Sequence, residues 1–140
     1  EEASGDITGL IGQYAHGNEP SHHMAYLYNW TDAPWKGQER LDQIMQNFYT
    51  NEPDGIIGNE DCGQMSAWYV MSALGFYQVA PGIPVYTLGR PMIDKALIHV
   101  KGGIFEILVK NNSAANKYIN HTDVIKGGKL EFIMTDQPVK

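Results

Sequence analysis

Hydrophobic positions recur with a helical period through the first part of the chain. Leu41, Ile44, Met45 and Phe48 are spaced at i, i+3, i+4 and i+7, and the residues between them are mostly polar. This spacing predicts an amphipathic helix with one buried stripe. An earlier helix is predicted to begin around Pro20, because a proline in the first turn removes no helical hydrogen bond.

A third helix is predicted over 64–74, where apolar residues occupy almost every side of the helix. Gly75 follows it in the position of a C-terminal cap. A helix that is apolar all round is usually buried on both sides, so we expect neighbours on both sides of this one. Helices of both kinds, one-sided and all-round apolar, are what concentric layers of helices require.

After Pro81 the pattern changes to short β-favouring runs. These runs cover 85–88, 96–100, 104–109 and 130–134. The glycine pair at 102–103 predicts a hairpin turn, and one helical turn is predicted over 122–125. The sequence therefore predicts an α+β fold in which helices over 1–80 are followed by C-terminal antiparallel β-strands over 81–140.

The distribution of charge supports the same division. Residues 1–80 hold eleven acidic and two basic side chains, whereas residues 81–140 hold five acidic and eight basic ones. The net charge of −6 for all 140 residues argues against a nucleic-acid partner, because phosphate binding needs clustered Lys and Arg. No apolar run approaches the ~20 residues of a membrane helix, so no membrane span is expected, and any signal peptide is expected to be absent or removed.

A polar cluster at 16–23, HGNEPSHH, coincides with the start of the first predicted helix. Free backbone N–H groups at a helix N-terminus favour anions and oxygen-rich ligands, which makes this cluster a candidate binding site. Capping of the helix by Asn18 or Ser21, with histidines that hydrogen-bond locally, is an equally open interpretation. Zinc is not expected, because adjacent His22 and His23 point about 100° apart on a helix and cannot ligate one ion together.

A second cluster at 58–64, GNEDCGQ, precedes the third predicted helix. A carboxylate at a helix N-terminus is stabilised as the anion, so Asp61 suits a general base or a cation ligand; capping of the helix is the alternative. Oxygen donors such as Asp61 and Asn59 select calcium over zinc, although the loop lacks the D-x-D-x-D-G series of an EF-hand. Cys62, the only cysteine, lies where negative charge disfavours a thiolate, so we expect it to be a packing residue.

Both clusters belong to longer motifs. Residues 9–23, GLIGQYAHGNEPSHH, closely resemble a signature of the glycoside hydrolase family 92 α-mannosidases. Residues 58–70, GNEDCGQMSAWYV, followed by ALGFY at 73–77, resemble a second one. The distance between the motifs, with the pairs at 28–29 and 34–35, is also similar to that family.

The resemblance implies a fold and an activity. Members of this family are calcium-dependent, exo-acting α-mannosidases that invert the anomeric configuration, and they pair an N-terminal β-sandwich with an (α/α)6 barrel. Similarity to them implies that residues 1–80 are the terminal helices of the barrel and that residues 81–140 are the β-strand segment packed against it. The implied partners are a mannose-containing glycan and the missing N-terminal part of the same enzyme, and the implied location is secreted, periplasmic or at the cell surface.

The resemblance also implies roles for particular residues. Asp61 matches the base position, and position 59 is an acid in some relatives but is Asn59 here, so a second carboxylate at the attacking water is in question. The expected catalytic residues are Asp61 and Asn59, the expected sugar contacts are His16, Asn18, Glu19 and Glu60, and the expected Ca²⁺ ligands are Asn18 and Asp61.

Two features depart from the family pattern. The general acid of the family is a Glu in a Trp- and Tyr-rich segment that this sequence does not contain, so the 140-residue chain alone is expected to be inactive. Relatives also carry an extra stretch near 116–118. Two other functions remain open from the residues: another (α/α)6-barrel polysaccharide hydrolase or lyase, and a non-catalytic carbohydrate-binding or assembly module.

Overall fold

The computed structural model describes residues 7–125 and 127–140. The helical elements there are two 3₁₀ helices, Glu19–Ser21 and Met24–Trp30, and two α-helices, α1 (Pro34–Phe48) and α2 (Gln64–Ala73). The strands there are β1 (Leu10–Ile11), β2 (Tyr14–Ala15), β3 (Phe76–Tyr77), β4 (Thr87–Leu88), β5 (Lys95–Val100), β6 (Gly103–Lys110), β7 (Tyr118–Ile125) and β8 (Lys129–Thr135). The mixture of helices and mostly antiparallel strands confirms the α+β class.

The two predicted α-helices are confirmed. Leu41, Ile44 and Met45 of α1 are buried, as the apolar stripe requires. Helix α2 ends before Gly75, which adopts the left-handed φ of 99° and whose N–H donates to the Ser72 carbonyl, as a C-terminal glycine cap does.

The expectation that α2 is buried on both sides is wrong for the described residues. One side of α2 packs into the core through Met65 and Trp68, whereas Val70 on another side is 55% exposed. The helix is apolar on almost every side, but the described chain supplies neighbours for only one of them.

The helix predicted from Pro20 forms as two short 3₁₀ segments. Ser21 N–H donates to the Asn18 carbonyl and Tyr26 N–H to the His23 carbonyl, which is the i→i+3 pattern of a 3₁₀ helix. A short apolar pattern does not distinguish this tighter turn from an α-helix.

The main sheet has the strand order β5-β6-β8-β7. Strands β5 and β6 form the predicted hairpin, with Val100 opposite Gly103, whereas β6 and β8 pair in parallel. The helical turn predicted over 122–125 is wrong, because these residues form the end of β7 and pair antiparallel with β8. Thr122, Val124 and Ile125 are β-branched and suit a strand, and the pairing with β8 decides the conformation.

Contacts between the helices and the sheet hold the two parts together. Buried Arg90 donates to Asp42 of α1 (Nε–Oδ1, 3.2 Å) and to Asn112 of the β6–β7 connection (Nη1–Oδ1, 2.8 Å). A methyl group added at Gly75 would lie 2.8 Å from the Phe132 ring of β8, so the helical part and the sheet approach closely there. The boundary at residue 81 between two units stays a prediction.

Candidate active site

The fold brings the two polar clusters together. A methyl group added at Gly17 or at Gly58 would collide with the hydroxyl oxygen of Thr8, and one at Gly58 would lie 3.7 Å from the Cα atom of Gly17. Gly17 also donates its N–H to the Thr8 carbonyl (3.1 Å). The two glycine turns therefore lie almost in contact, with Thr8 packed between them, and the polar residues that follow each glycine start from neighbouring points.

Three consecutive residues with left-handed backbone carry the second cluster into α2. The φ angles are 54° at Asp61, 57° at Cys62 and 94° at Gly63. A left-handed backbone is unfavourable for residues other than glycine and is concentrated at functional sites. Cys62 is exposed and lies in this left-handed turn before α2 begins, so the expectation that it is a packing residue is wrong.

Glu60 supplies the cap of α2. Its two carboxylate oxygens accept hydrogen bonds from the backbone N–H of Ser66 (3.0 Å) and from the Ser66 hydroxyl (2.8 Å). Both oxygens are thereby engaged with the first turns of the helix, and a sugar contact by Glu60 would have to share them. The capping role that was an alternative for Asp61 is carried by its neighbour. Among residues 7–125 and 127–140, no side-chain hydrogen bond involves the Asp61 carboxylate.

Asn18, Glu19 and Asp61 remain accessible for binding. Asn18 occupies the N-cap position of the first 3₁₀ helix without a side-chain capping bond, which removes the support for a capping role. Glu19 is exposed, and Asn18 and Asp61 are partly buried. Asn59 is also exposed, directly after the Gly58 contact.

The carboxylates of Glu19 and Asp61 act on a common neighbour, His22. Burial lowers the pKa of His22, while a hydrogen bond to the His16 carbonyl and the negative charges of Glu19 and Asp61 oppose this fall. The charges of one carboxylate from each cluster thus favour the protonated form of His22, against the larger effect of burial.

His16 lies in the core below the site. It is fully buried, with its Nδ1 atom 2.7 Å from the Tyr14 hydroxyl and its Nε2 atom 2.6 Å from the Tyr49 hydroxyl. Tyr49 donates to the Met65 carbonyl (3.2 Å), so His16 Nε2–H donates to Tyr49 and Nδ1 accepts from Tyr14. A sugar contact by His16 would require these hydrogen bonds to break, and the arrangement favours a structural role.

The oxygen donors of the site suit a hard cation but do not enclose one. Among the described residues, no group of three or more His, Cys, Asp and Glu side chains is arranged to hold a metal ion. The accessible donors are the Asn18 amide oxygen and the carboxylates of Glu19 and Asp61, and the buried Thr8 hydroxyl between the glycine turns has no hydrogen-bond partner in the described part of the chain. Calcium prefers carboxylate, amide and water oxygens, so the accessible donors of Asn18, Glu19 and Asp61 are of the type that suits calcium.

Comparison with known proteins identifies the family. Residues 1–136 match the model of the glycosyl hydrolase family 92 catalytic domain. The chain therefore belongs to glycosyl hydrolase family 92.

Within the described residues, no helix has both the length and the apolar character needed to cross a membrane.

Solved structures of family members have the same fold. The family GH92 alpha-mannosidase BT3965 from Bacteroides thetaiotaomicron, solved in complex with mannoimidazole, is 40% identical with a TM-score of 0.88 over 96% of this chain and 20% of its own. The inverting mannosidase BT2199 from the same organism is 38% identical with a TM-score of 0.80, over 91% of this chain and 19% of its own. A secreted glycosidase of uncharacterised activity from Arthroderma benhamiae is 27% identical over 74% of this chain and 13% of its own length.

The chain thus spans about a fifth of the length of the solved relatives.

The site also includes supporting residues that sequence reasoning did not select, namely Thr8, Tyr49 and Gln64. Thr8 and Tyr49 lie outside both clusters and reach them through contacts distant in sequence, which no local pattern reveals. Gln64 ends the second cluster, but its bond to His22 spans 42 positions.

Proposed function

We propose that this chain is part of a calcium-dependent, inverting exo-α-mannosidase that removes terminal mannose from glycans, and that it supplies the general base and part of the sugar and calcium site. The single observation that carries the proposal is the near contact of Gly17 and Gly58. That contact places the segment that begins with Asn18 and Glu19 beside the segment that leads to Asp61, whose carboxylate makes no side-chain hydrogen bond among the described residues.

Asp61 is proposed as the general base. Inversion requires a carboxylate that takes a proton from water as the water oxygen attacks the anomeric carbon, while the bond from that carbon to the leaving oxygen breaks. A separate carboxylic acid gives its proton to the leaving oxygen, and we assign that acid to the part of the enzyme outside this chain. Asn59 is proposed to hydrogen-bond the attacking water without taking its proton, since an amide is not a base at neutral pH.

Asn18 and Asp61 are the proposed calcium ligands within this chain. Calcium, when bound, would orient the mannose 2- and 3-hydroxyls and stabilise charge during the displacement. Glu19 is exposed beside Asn18 and is proposed to hydrogen-bond sugar hydroxyls. The sugar contacts expected of His16 and Glu60 stay predictions, and the hydrogen bonds of these residues favour structural support of the site.

The anomer of the first product tests the mechanism. The full-length enzyme is mixed with an aryl α-mannoside, and proton NMR spectra are recorded before mutarotation. We expect β-mannose first, because water attacks the face opposite the leaving group. Initial α-mannose would contradict inversion, and equal activity on a panel of unrelated glycosides would contradict the substrate class.

Removal of calcium tests the cofactor. We expect EDTA to abolish mannoside hydrolysis by the full-length enzyme and added Ca²⁺ to restore it, with Mg²⁺ restoring less because it demands a smaller octahedral shell. An enzyme that keeps full activity in excess EDTA would contradict the calcium proposal.

A secreted, periplasmic or cell-surface location is proposed from the secreted fungal relative.

A further inference from the structure

We propose that His22 is a positioning residue of the mannosidase site, which fixes the segment that carries Asp61 against the segment that carries Asn18 and Glu19. This inference rests on the proposed function, since it requires Asp61 to act in the reaction. His22 belongs to the first cluster and takes part in three hydrogen bonds. One stays within that cluster, at His16, and the other two reach Gln64, the last residue of the second cluster, and Trp68 of α2.

The first two bonds are made by the imidazole ring. His22 Nε2 lies 3.0 Å from the His16 carbonyl oxygen, and since a carbonyl can only accept, the ring must carry its proton on Nε2. Nδ1 is then an acceptor and takes a hydrogen bond from the Gln64 side-chain amide (3.2 Å). One ring thus holds the chain before Gly17 at one nitrogen and the first residue of α2 at the other.

The third bond uses the backbone. Trp68, one turn further along α2, donates its indole N–H to the His22 carbonyl (2.9 Å). Helix α2 is therefore held to His22 at its first and second turns, and Asp61 lies three residues before the helix begins. A displacement of α2 relative to His22 would carry Asp61 with it.

The environment of His22 keeps the ring in the form that these bonds need. The residue is 1% exposed, and its ring packs beside those of His16 and Trp68, at centroid distances of 4.9 and 5.8 Å. Burial lowers the pKa of His22, so the ring is neutral at ordinary pH. A neutral ring can accept from Gln64, whereas a protonated one would have two donors and no acceptor.

Variants that keep one of the two ring hydrogen bonds and remove the other separate their effects. His22→Gln retains an amide donor near the Nε2 position but loses the acceptor for Gln64, and Gln64→Met removes the same bond from the other side. His22→Asn retains an acceptor near the Nδ1 position and loses the donor to His16. His23→Ala is the matched control, because this neighbouring histidine makes none of the three bonds.

The substitutions are made in the full-length enzyme, and folding is checked by circular dichroism. For each variant, kcat per folded enzyme molecule and KM are measured on an aryl α-mannoside. We expect kcat to fall by about 10-fold or more in His22→Gln and in Gln64→Met, with KM changed by less than about threefold, because a misplaced base slows the chemical step. The double variant should fall no further than either single one, since both remove the same bond. His23→Ala should keep kcat near the wild-type value.

Wild-type kcat in both His22→Gln and Gln64→Met, with only the melting temperature lowered, would overturn the inference and leave His22 as a packing residue. Additive losses in the double variant would also overturn it. Asp61→Asn, measured in parallel, separates this failure from that of the proposed function. If Asp61→Asn is inactive while the two bond-breaking variants are fully active, only the positioning role fails; an active Asp61→Asn rejects the base itself.

Discussion

At the scale of single residues, the first cluster divides its side chains between the core and the surface. His16 and His22 are buried among aromatic rings, whereas Asn18 and Glu19, only a few positions away, are accessible. The histidines therefore form the support on which the amide and the carboxylate are presented. Polar residues are dense in this motif because one short segment supplies both the buried histidines and the accessible Asn18 and Glu19.

The buried His16 predicts a dependence of stability on pH. Burial, assisted by the neighbouring His22, lowers the pKa of His16 from its ordinary 6.5 to about 3. Between these values the unfolded chain binds a proton that the folded chain does not, so the free energy of unfolding falls as the pH falls. The loss begins near pH 6.5 and amounts to about 1.4 kcal/mol per pH unit. Acidification to about pH 5 should therefore lower the free energy of unfolding by about 2 kcal/mol through His16 alone.

Thermal unfolding of the full-length enzyme at pH 7 and pH 5 measures this effect. We expect His16→Gln to lower the melting temperature at pH 7 but to lose less between the two pH values than the wild type does. His23→Gln, outside the network around His16, is the control and should show the wild-type fall. An equal fall in His16→Gln and the wild type would show that His16 titrates normally.

At the scale of elements, helices with a long apolar pattern or clear boundary residues were predictable from the sequence. The stripe of α1 runs over several turns, and α2 is bounded by Gly63 and Gly75, so both helices were predictable. The segment 122–125 was too short to show a period, and its pairing with β8 is set by residues more distant in sequence. The contact between Gly17 and Gly58 is likewise non-local, so the sequence identified the two clusters but not their meeting.

The close approach at Gly75 predicts a difference between two glycine substitutions. Gly75 and Gly82 both have left-handed φ, 99° and 87°, but only Gly75 has neighbours, with Phe132 and Pro91 within 3.0 Å of an added methyl group. Gly82→Ala should cost about 1 kcal/mol from backbone strain. Gly75→Ala should cost about 1–3 kcal/mol more, because the helical part and the sheet must separate.

The melting temperatures of the two glycine variants in the full-length enzyme give the comparison. We expect a clearly larger decrease for Gly75→Ala than for Gly82→Ala. Equal decreases would mean that strain alone acts at both positions and that the contact between Gly75 and Phe132 is looser than the structure indicates.

At the scale of the whole molecule, the described chain leaves several large apolar side chains accessible. Val70 of α2 is 55% exposed, Trp30 is 66% exposed, and Val124 of the edge strand β7 is 83% exposed. Single exposed apolar residues are normal on a protein surface, but a helix that is apolar almost all round, as α2 is, is normally buried on both sides. Since the chain spans about a fifth of its solved relatives, we propose that the remainder of the same enzyme covers the exposed side of α2.

The division of the catalytic groups predicts that the 140-residue chain alone is inactive. It carries the proposed base, Asp61, but the acid that protonates the leaving oxygen is assigned to the remainder of the enzyme. Release of nitrophenol from a nitrophenyl α-mannoside measures this, with the full-length enzyme as the positive control. Robust turnover by the isolated chain would show that it holds both catalytic groups.

The kcat of the full-length enzyme after Asp61→Asn tests the central claim most directly. The variant is compared with the wild type on an α-mannoside, with Asp54→Asn, an exposed acid in the preceding loop, as the matched control. We predict a fall of about 10²–10⁴-fold for Asp61→Asn, as expected for loss of a general base, with an unchanged circular dichroism spectrum and near wild-type kcat in the control. A folded Asp61→Asn enzyme that keeps most of its kcat would contradict the assignment of Asp61 as the base.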